Sequence, residues 1–185
     1  AKIAGIKLCQ ALRKQYNFDA ISLMPTNLYG PGDNYNSENS HVMAALIKKF
    51  CDAKFNNKPS VVCWGSGAPL REFLHVDDFS EAVIFCLNNW HPKSNNAPRF
   101  KNGEPIYFLN VGTGKDLSIK ELALMIARLT NYKGKINWDK SKPDGTPQKR
   151  LDVKRINKLG WKYKIKLEEG IKQTINNYKE KYKLN

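Results

Sequence analysis

The sequence predicts an α/β protein. Short apolar runs of strand length, at residues 20–24, 61–64 and 106–111, alternate with longer stretches whose apolar residues recur at helical spacing. Turn residues punctuate them, as in Gly30-Pro31, Gly65-Ser66-Gly67 and Gly112-Thr113-Gly114. With 185 residues, 41% of them hydrophobic and 26% charged, the chain is long enough and apolar enough for an ordinary core.

Each element has a local reason. Ile3, Ile6, Leu8, Cys9 and Leu12 give residues 2–16 a helical period, with no Ser, Thr, Asp or Asn ahead of Lys2 to cap it. Residues 20–24 read as a buried strand ended by Pro25, and 30–39 as a polar loop. Ser40 is expected to cap a helix over 41–53. Residues 61–64 form a short strand closed by Gly65-Ser66-Gly67, and Asp77 or Asp78 is expected to start a helix running to Leu87. Residues 92–105 are polar and irregular, the place for a family-variable insertion. A strand over 106–111 ends at a glycine turn, and Ser118 with Glu121 makes a capping box for a helix to Leu129. A strand over 135–138 leads into the rigid loop Lys142-Pro143-Asp144-Gly145-Thr146-Pro147. Asp152 is expected to open a short helix ended by Gly160, and Leu167–Tyr182 is an amphipathic helix. There is no internal repeat. The strands are too few for a complete doubly wound sheet, and the sequence contains no G-x-x-G-x-x-G or G-x-G-x-x-G turn.

Charge and cysteines narrow the function classes. The formal net charge is +14, but the lysines are scattered, and the C-terminal ones mix with Glu180, Tyr178 and Tyr182 as on a solvated helix face. Asn runs accompany the lysines, so the excess reads as compositional, and no nucleic-acid partner is expected. A basic surface still attracts anionic ligands. Cys9, Cys51, Cys63 and Cys86 are dispersed without a C-x-x-C pair, so no metal site is expected, and Cys9, Cys51 and Cys86, among apolar helical residues, read as thiols of a reducing compartment. No apolar stretch reaches bilayer-spanning length and no signal peptide is visible, so the expectation is a cytoplasmic protein with no membrane partner.

Motifs sharpen this. Ala1-Lys2-Ile3-Ala4-Gly5 and Met24-Pro25-Thr26-Asn27-Leu28-Tyr29-Gly30-Pro31 are followed by Asn39-Ser40-His41-Val42, Trp64-Gly65-Ser66-Gly67 and Arg71-Glu72-Phe73-Leu74-His75-Val76-Asp77-Asp78. Leu109-Asn110-Val111-Gly112-Thr113-Gly114, the loop 142–147, Leu151-Asp152-Val153 and Leu159-Gly160-Trp161 complete the set. Together they resemble the extended short-chain dehydrogenase/reductase family of nucleotide-sugar enzymes. N-S-H-V combined with K-P-D-G-T-P is similar to its GDP-L-fucose synthase branch, the GDP-4-keto-6-deoxymannose 3,5-epimerase/4-reductases. The resemblance implies the C-terminal part of a Rossmann-type enzyme with a small α/β substrate-binding domain. Residues 1–30 and 73–112 would be the remnant of the NADP-binding domain, and 31–72 with 113–185 the substrate domain.

The same resemblance implies roles. Lys2 matches the Lys of a catalytic Tyr-x-x-x-Lys pair and would bind the nicotinamide ribose of NADP(H) while lowering the pKa of the Tyr one helical turn earlier. That Tyr position, like the family's catalytic Ser and Cys, falls ahead of Ala1, so the chain by itself is expected to lack reductase activity. His41 matches the acid/base that epimerises the carbons flanking the C4 ketone, work suited to a group titrating near neutrality, and it also lies on the cofactor side. Pro25, Thr26, Asn27 and Leu28 would pass along the nicotinamide. Lys49, Trp64, Arg71 and Asp144 would bind the GDP-sugar: Arg71 and Lys49 its diphosphate, Trp64 sugar or base, Asp144 ribose or guanine. His75, Asp77 and Asp78 read as structural, and Gly32 stands where some relatives carry His. The helix carrying Lys2 resembles one that forms a four-helix bundle in a homodimer. Another nucleotide-sugar epimerase or dehydratase, and a stand-alone nucleotide-sugar-binding module, remain as alternatives.

Overall fold

The computed structural model describes residues 1–36 and 39–184; Ser37 and Glu38, within the predicted polar loop, lie outside the described residues, as does Asn185. The helix α1 (Lys2–Tyr16) leads to β1 (Ser22–Pro25) and β2 (Asn27–Tyr29), then α2 (Val42–Phe55), β3 (Ser60–Trp64), β4 (Leu70–His75) and α3 (Val76–Asn89). After the irregular stretch come β5 (Phe108–Val111), β6 (Asp116–Ser118), α4 (Ile119–Leu129), β7 (Lys135–Asp139), β8 (Gln148–Lys149), α5 (Lys154–Leu159) and α6 (Leu167–Tyr182).

Among the described residues the strands pair in three small sheets. β1 lies parallel to β5, with Pro25 opposite Val111. β3 lies parallel to β7, with Trp64 opposite Asp139. In the third, β4 is central: β2 runs parallel to it with Asn27 opposite Phe73, β6 antiparallel with Arg71 opposite Leu117, and β8 parallel with Arg71 opposite Lys149. Two apolar clusters form on either side of β4. Phe73 joins Met43, Ile47 and Phe50 of α2, Leu122 and Ile126 of α4, and Ile171 and Tyr178 of α6. Leu74, the next residue, joins Ala82 and Cys86 of α3, Leu109 and Val111 of β5, and Ile156 and Trp161 around α5. Alternation along one strand therefore feeds both cores.

Ser118 and Glu121 form the expected capping box, with Ser118 Oγ accepting from Glu121 N at 3.1 Å and Glu121 accepting from Ser118 N at 2.8 Å. Three other starts differ from the sequence reading. His41, not Ser40, is the N-cap of α2. His75 is the N-cap of α3, its Nδ1 accepting from Asp77 N at 3.2 Å. Asp78 is instead buried and accepts from Lys164 N at 2.9 Å and Ile165 N at 3.0 Å, tying α3 to the segment before α6. Val153 precedes α5, where Asp152 Oδ1 accepts from Lys154 N at 2.9 Å. β4 was absent from the sequence reading because its charged pair Arg71-Glu72 breaks any alternation.

No helix of the described residues is long and apolar enough to cross a membrane. α1 is held mainly at its last turn, where Arg13 is buried, donates to Ala20 O at 2.9 Å and pairs with Asp19. Ile3 and Leu8 on the same helix are exposed.

Candidate functional site

Two adjoining cavities of about 240 and 190 Å³ share Val42, Trp64 and Ile119 as walls. The first is mostly apolar, with Ala45, Leu46 and Cys63 beside Lys49. The second adds Arg71, Pro143 and Asp144. Four predicted binding residues from separate segments, Lys49, Trp64, Arg71 and Asp144, thus meet around one indole.

The β3 alternation explains the indole's position. Val61 and Cys63 point into the core while Val62 and Trp64 point outward, leaving Trp64 63% exposed. Core packing is therefore not the role of Trp64. Lys49, on α2, donates to Val62 O at 2.8 Å and holds its ammonium 5.3 Å from the Trp64 ring centroid. Beneath them the Cys63 thiol is pushed up by burial, partly offset by Lys49, so it is a poor nucleophile. Arg71 is half-buried and spends one N–H on Leu70 O at 2.8 Å.

Asp144 closes the site from the other side. Its Oδ1 accepts from Ser66 N at 2.6 Å and its Oδ2 from Ser66 Oγ at 2.7 Å. The hydroxyl first, then the backbone N–H, hold its carboxyl below the ordinary carboxylate range. Gly65 (φ +76) makes this possible, since a Cβ there would collide with Asp144 Oδ1. The expected acceptor for ribose or guanine is thus engaged with the turn that follows Trp64.

Of the residues expected to border a cofactor, Thr26 and Asn27 are tied to β4. Thr26 Oγ1 and Asn27 Nδ2 both donate to the backbone carbonyl of Glu72, at 3.1 and 2.8 Å, immediately after Arg71. Pro25 is exposed at the end of β1 and Leu28 is half-buried in β2. His41 is exposed at the start of α2; its neighbours Ser40 and Val42 line the first cavity, but His41 itself lines neither. Lys2 is exposed on the first turn of α1 and also lines neither cavity.

Two residues escaped the sequence reading. Lys142 places its ammonium 5.5 Å from the Trp64 centroid; its position two residues before Asp144 in a proline-bracketed loop was the available signal. Glu72, fully buried, accepts from Thr113 N, Gly114 N and Leu151 N at 2.6, 2.8 and 2.7 Å, and no local pattern marks a buried carboxylate of that kind. His75 is buried as expected, with Nδ1 bonded and Nε2 lacking a partner among the described residues.

The family model for the NAD dependent epimerase/dehydratase family matches residues 1–97. A probable GDP-L-fucose synthase 1 of Oryza sativa subsp. japonica is 51% identical over 180 residues, 97% of this chain and 51% of the rice protein. The GDP-L-fucose synthase of Escherichia coli (strain K12) is 51% identical over 175 residues, 94% of this chain and 53% of its own length. The chain therefore spans about half the length of the curated relatives it matches. The crystal structure of a GDP-L-fucose synthetase from Naegleria fowleri bound to NADP superposes with a TM-score of 0.81 at 27% identity, covering 96% of this chain and 54% of that one. The chain belongs to the NAD dependent epimerase/dehydratase family.

Proposed function

We propose that this chain supplies the GDP-sugar-binding part of an NADPH-dependent epimerase/reductase that converts GDP-4-keto-6-deoxymannose to GDP-L-fucose. The convergence of Lys49, Trp64, Arg71 and Asp144 on two adjoining cavities carries the reading. A nucleoside diphosphate needs an aromatic platform, cations for its phosphates and a few oriented polar groups, and these residues supply that set. The similarity to named GDP-L-fucose synthases favours guanine as the base.

A nicotinamide cofactor fits the chain's own residues. Pro25 and Val111 end the parallel strands β1 and β5, and open α/β sheets bind ligands at the carboxyl ends of their strands. On this reading Pro25, Thr26, Asn27 and Leu28 border NADP(H), Lys2 binds its ribose hydroxyls, and His41 adjoins it. When bound, the cofactor supplies the hydride. His41 exchanges protons at the carbons flanking the C4 carbonyl of the sugar.

Residues 1–30 and 73–112 then serve the cofactor side, and 31–72 with 113–185 the substrate side. Exposed Ile3 and Leu8 support homodimerisation through α1, and four free thiols support a cytoplasmic location. Calorimetric titration of the chain with GDP, UDP and dTDP tests the reading. Tightest binding of GDP is expected; equal or tighter binding of UDP or dTDP overturns the assignment to a GDP-sugar.

A further inference from the structure

We propose that Lys142 is an anion-binding residue of the Trp64 site: a cation beyond Lys49 and Arg71 that receives the diphosphate of a nucleoside-diphosphate ligand. The inference rests on the reading of this site as a nucleotide-sugar site, and adds a residue to it.

Lys142 is held in place from both sides. Upstream, Asp139 Oδ1 accepts from Ser141 N at 3.0 Å and Ser141 Oγ at 2.6 Å, and Asp139 O accepts from Lys142 N at 3.2 Å. Asp139 O also accepts from Gly65 N at 2.9 Å, so the base of the loop is joined to the turn after Trp64. Downstream, Asp144 grips Ser66 with both carboxylate oxygens. Pro143, between the two anchors, fixes the backbone and lines the second cavity. Lys142 thus projects from a clamped loop toward the indole, 5.5 Å from its centroid.

The charge at this point is unbalanced. Lys49 and Lys142 both hold ammonium groups near one ring, and Arg71 lines the cavity beside it. The two nearby acids are already engaged by serines. Asp139 is held down chiefly by the Ser141 hydroxyl and N–H, with Lys142 its smallest influence, and Asp144 by the Ser66 hydroxyl and N–H. Among the described residues Lys142 forms no ion pair within 4.0 Å. Three cations thus face two carboxylates whose hydrogen bonds are already given to serines, and a bound anion offsets the remaining positive charge. An exposed indole beside them selects an anion that carries a flat ring, which a nucleoside diphosphate does and inorganic phosphate does not.

The test is calorimetric titration of the chain and of Lys142→Met and Lys142→Arg with GDP and with guanosine, at low and high salt. Lys142 is exposed, and methionine keeps its stem length. Lys142→Met is expected to weaken GDP about tenfold, equivalent to about 1.4 kcal/mol. It should leave guanosine within about twofold and flatten the salt dependence for GDP, and Lys142→Arg should restore both. GDP affinity unchanged in Lys142→Met, while Arg71→Ala lowers it, overturns the role of Lys142 alone. A wild-type chain that binds no GDP overturns the site reading and this inference together.

Discussion

Gly112 lies against the carboxylate of Glu72 so closely that a Cβ on Gly112 would collide with Glu72 Oε1. That carboxylate is fully buried and accepts the backbone N–H groups of Thr113, Gly114 and Leu151. A buried charge is tolerated only when hydrogen bonds replace its water, and here backbone amides do so. The backbone carbonyl of the same residue receives Thr26 and Asn27. Glu72 therefore fixes the segment of Thr26 and Asn27, the glycine turn after β5 and the strand that carries Arg71.

Gly112→Ala is expected to destabilise the chain by about 1–3 kcal/mol through overpacking. Glu72→Gln should cost a similar amount, about 1–3 kcal/mol, because an amide NH₂ would face a backbone N–H and leave a buried donor unpaired. Urea unfolding checks both: the midpoint falls in each variant while the slope is unchanged. Wild-type stability in either would show that the carboxylate is not the keystone of this junction.

Trp64→Ala should separate binding from folding. The indole is 63% exposed, so the unfolding midpoint should move little. Base stacking on an aromatic side chain contributes about 1–3 kcal/mol. Affinity for GDP and for guanosine should therefore fall together, by about tenfold. A loss confined to GDP would mean that Trp64 acts only by orienting the lysines.

Asp144 gives the turn after Trp64 a pH dependence. Its folded carboxyl titrates below the ordinary carboxylate range because Ser66 donates to both oxygens. The contribution is therefore complete above the unfolded value and is lost as pH falls through the lower, folded one. Acidification through that range should release the Gly65-Ser66-Gly67 turn and shift the emission of the exposed Trp64. Asp144→Asn should abolish that step and show the altered emission at neutral pH. An acid step that persists in Asp144→Asn assigns the transition to another group.

The sequence carried some of this directly and hid the rest for identifiable reasons. The capping box at Ser118 and Glu121 is a short-range pattern, and it formed as read. The meeting of Lys49, Trp64, Arg71 and Asp144 was legible only through matched motifs, since they lie on α2, β3, β4 and a loop with no common period. His75 took the cap of α3 because β4 delivers its ring into the core beside the first N–H groups, while Asp78 turned to residues 164 and 165. That exchange depends on a contact 86 residues away in sequence, which a local rule for helix starts does not contain.

Arg71→Lys distinguishes geometry from charge at the diphosphate. β8 runs parallel to β4 with Lys149 opposite Arg71, so the position already has a cationic neighbour and the substitution leaves the net charge unchanged. The lysine loses the planar fork that lets a guanidinium bond two phosphate oxygens while still donating to Leu70 O. GDP affinity should fall about fivefold to tenfold, roughly 1–1.4 kcal/mol for a lost charge-assisted hydrogen bond. Guanosine affinity should hold. The salt dependence of GDP binding should also hold, because the number of cations is the same. Lys142→Met removes a charge and should flatten that dependence. Calorimetry at two salt concentrations therefore assigns each residue separately: unchanged GDP affinity in Arg71→Lys would mean that Arg71 acts as a bare charge and that its fork is not used, and an unflattened salt slope in Lys142→Met would mean that Lys142 does not meet the diphosphate.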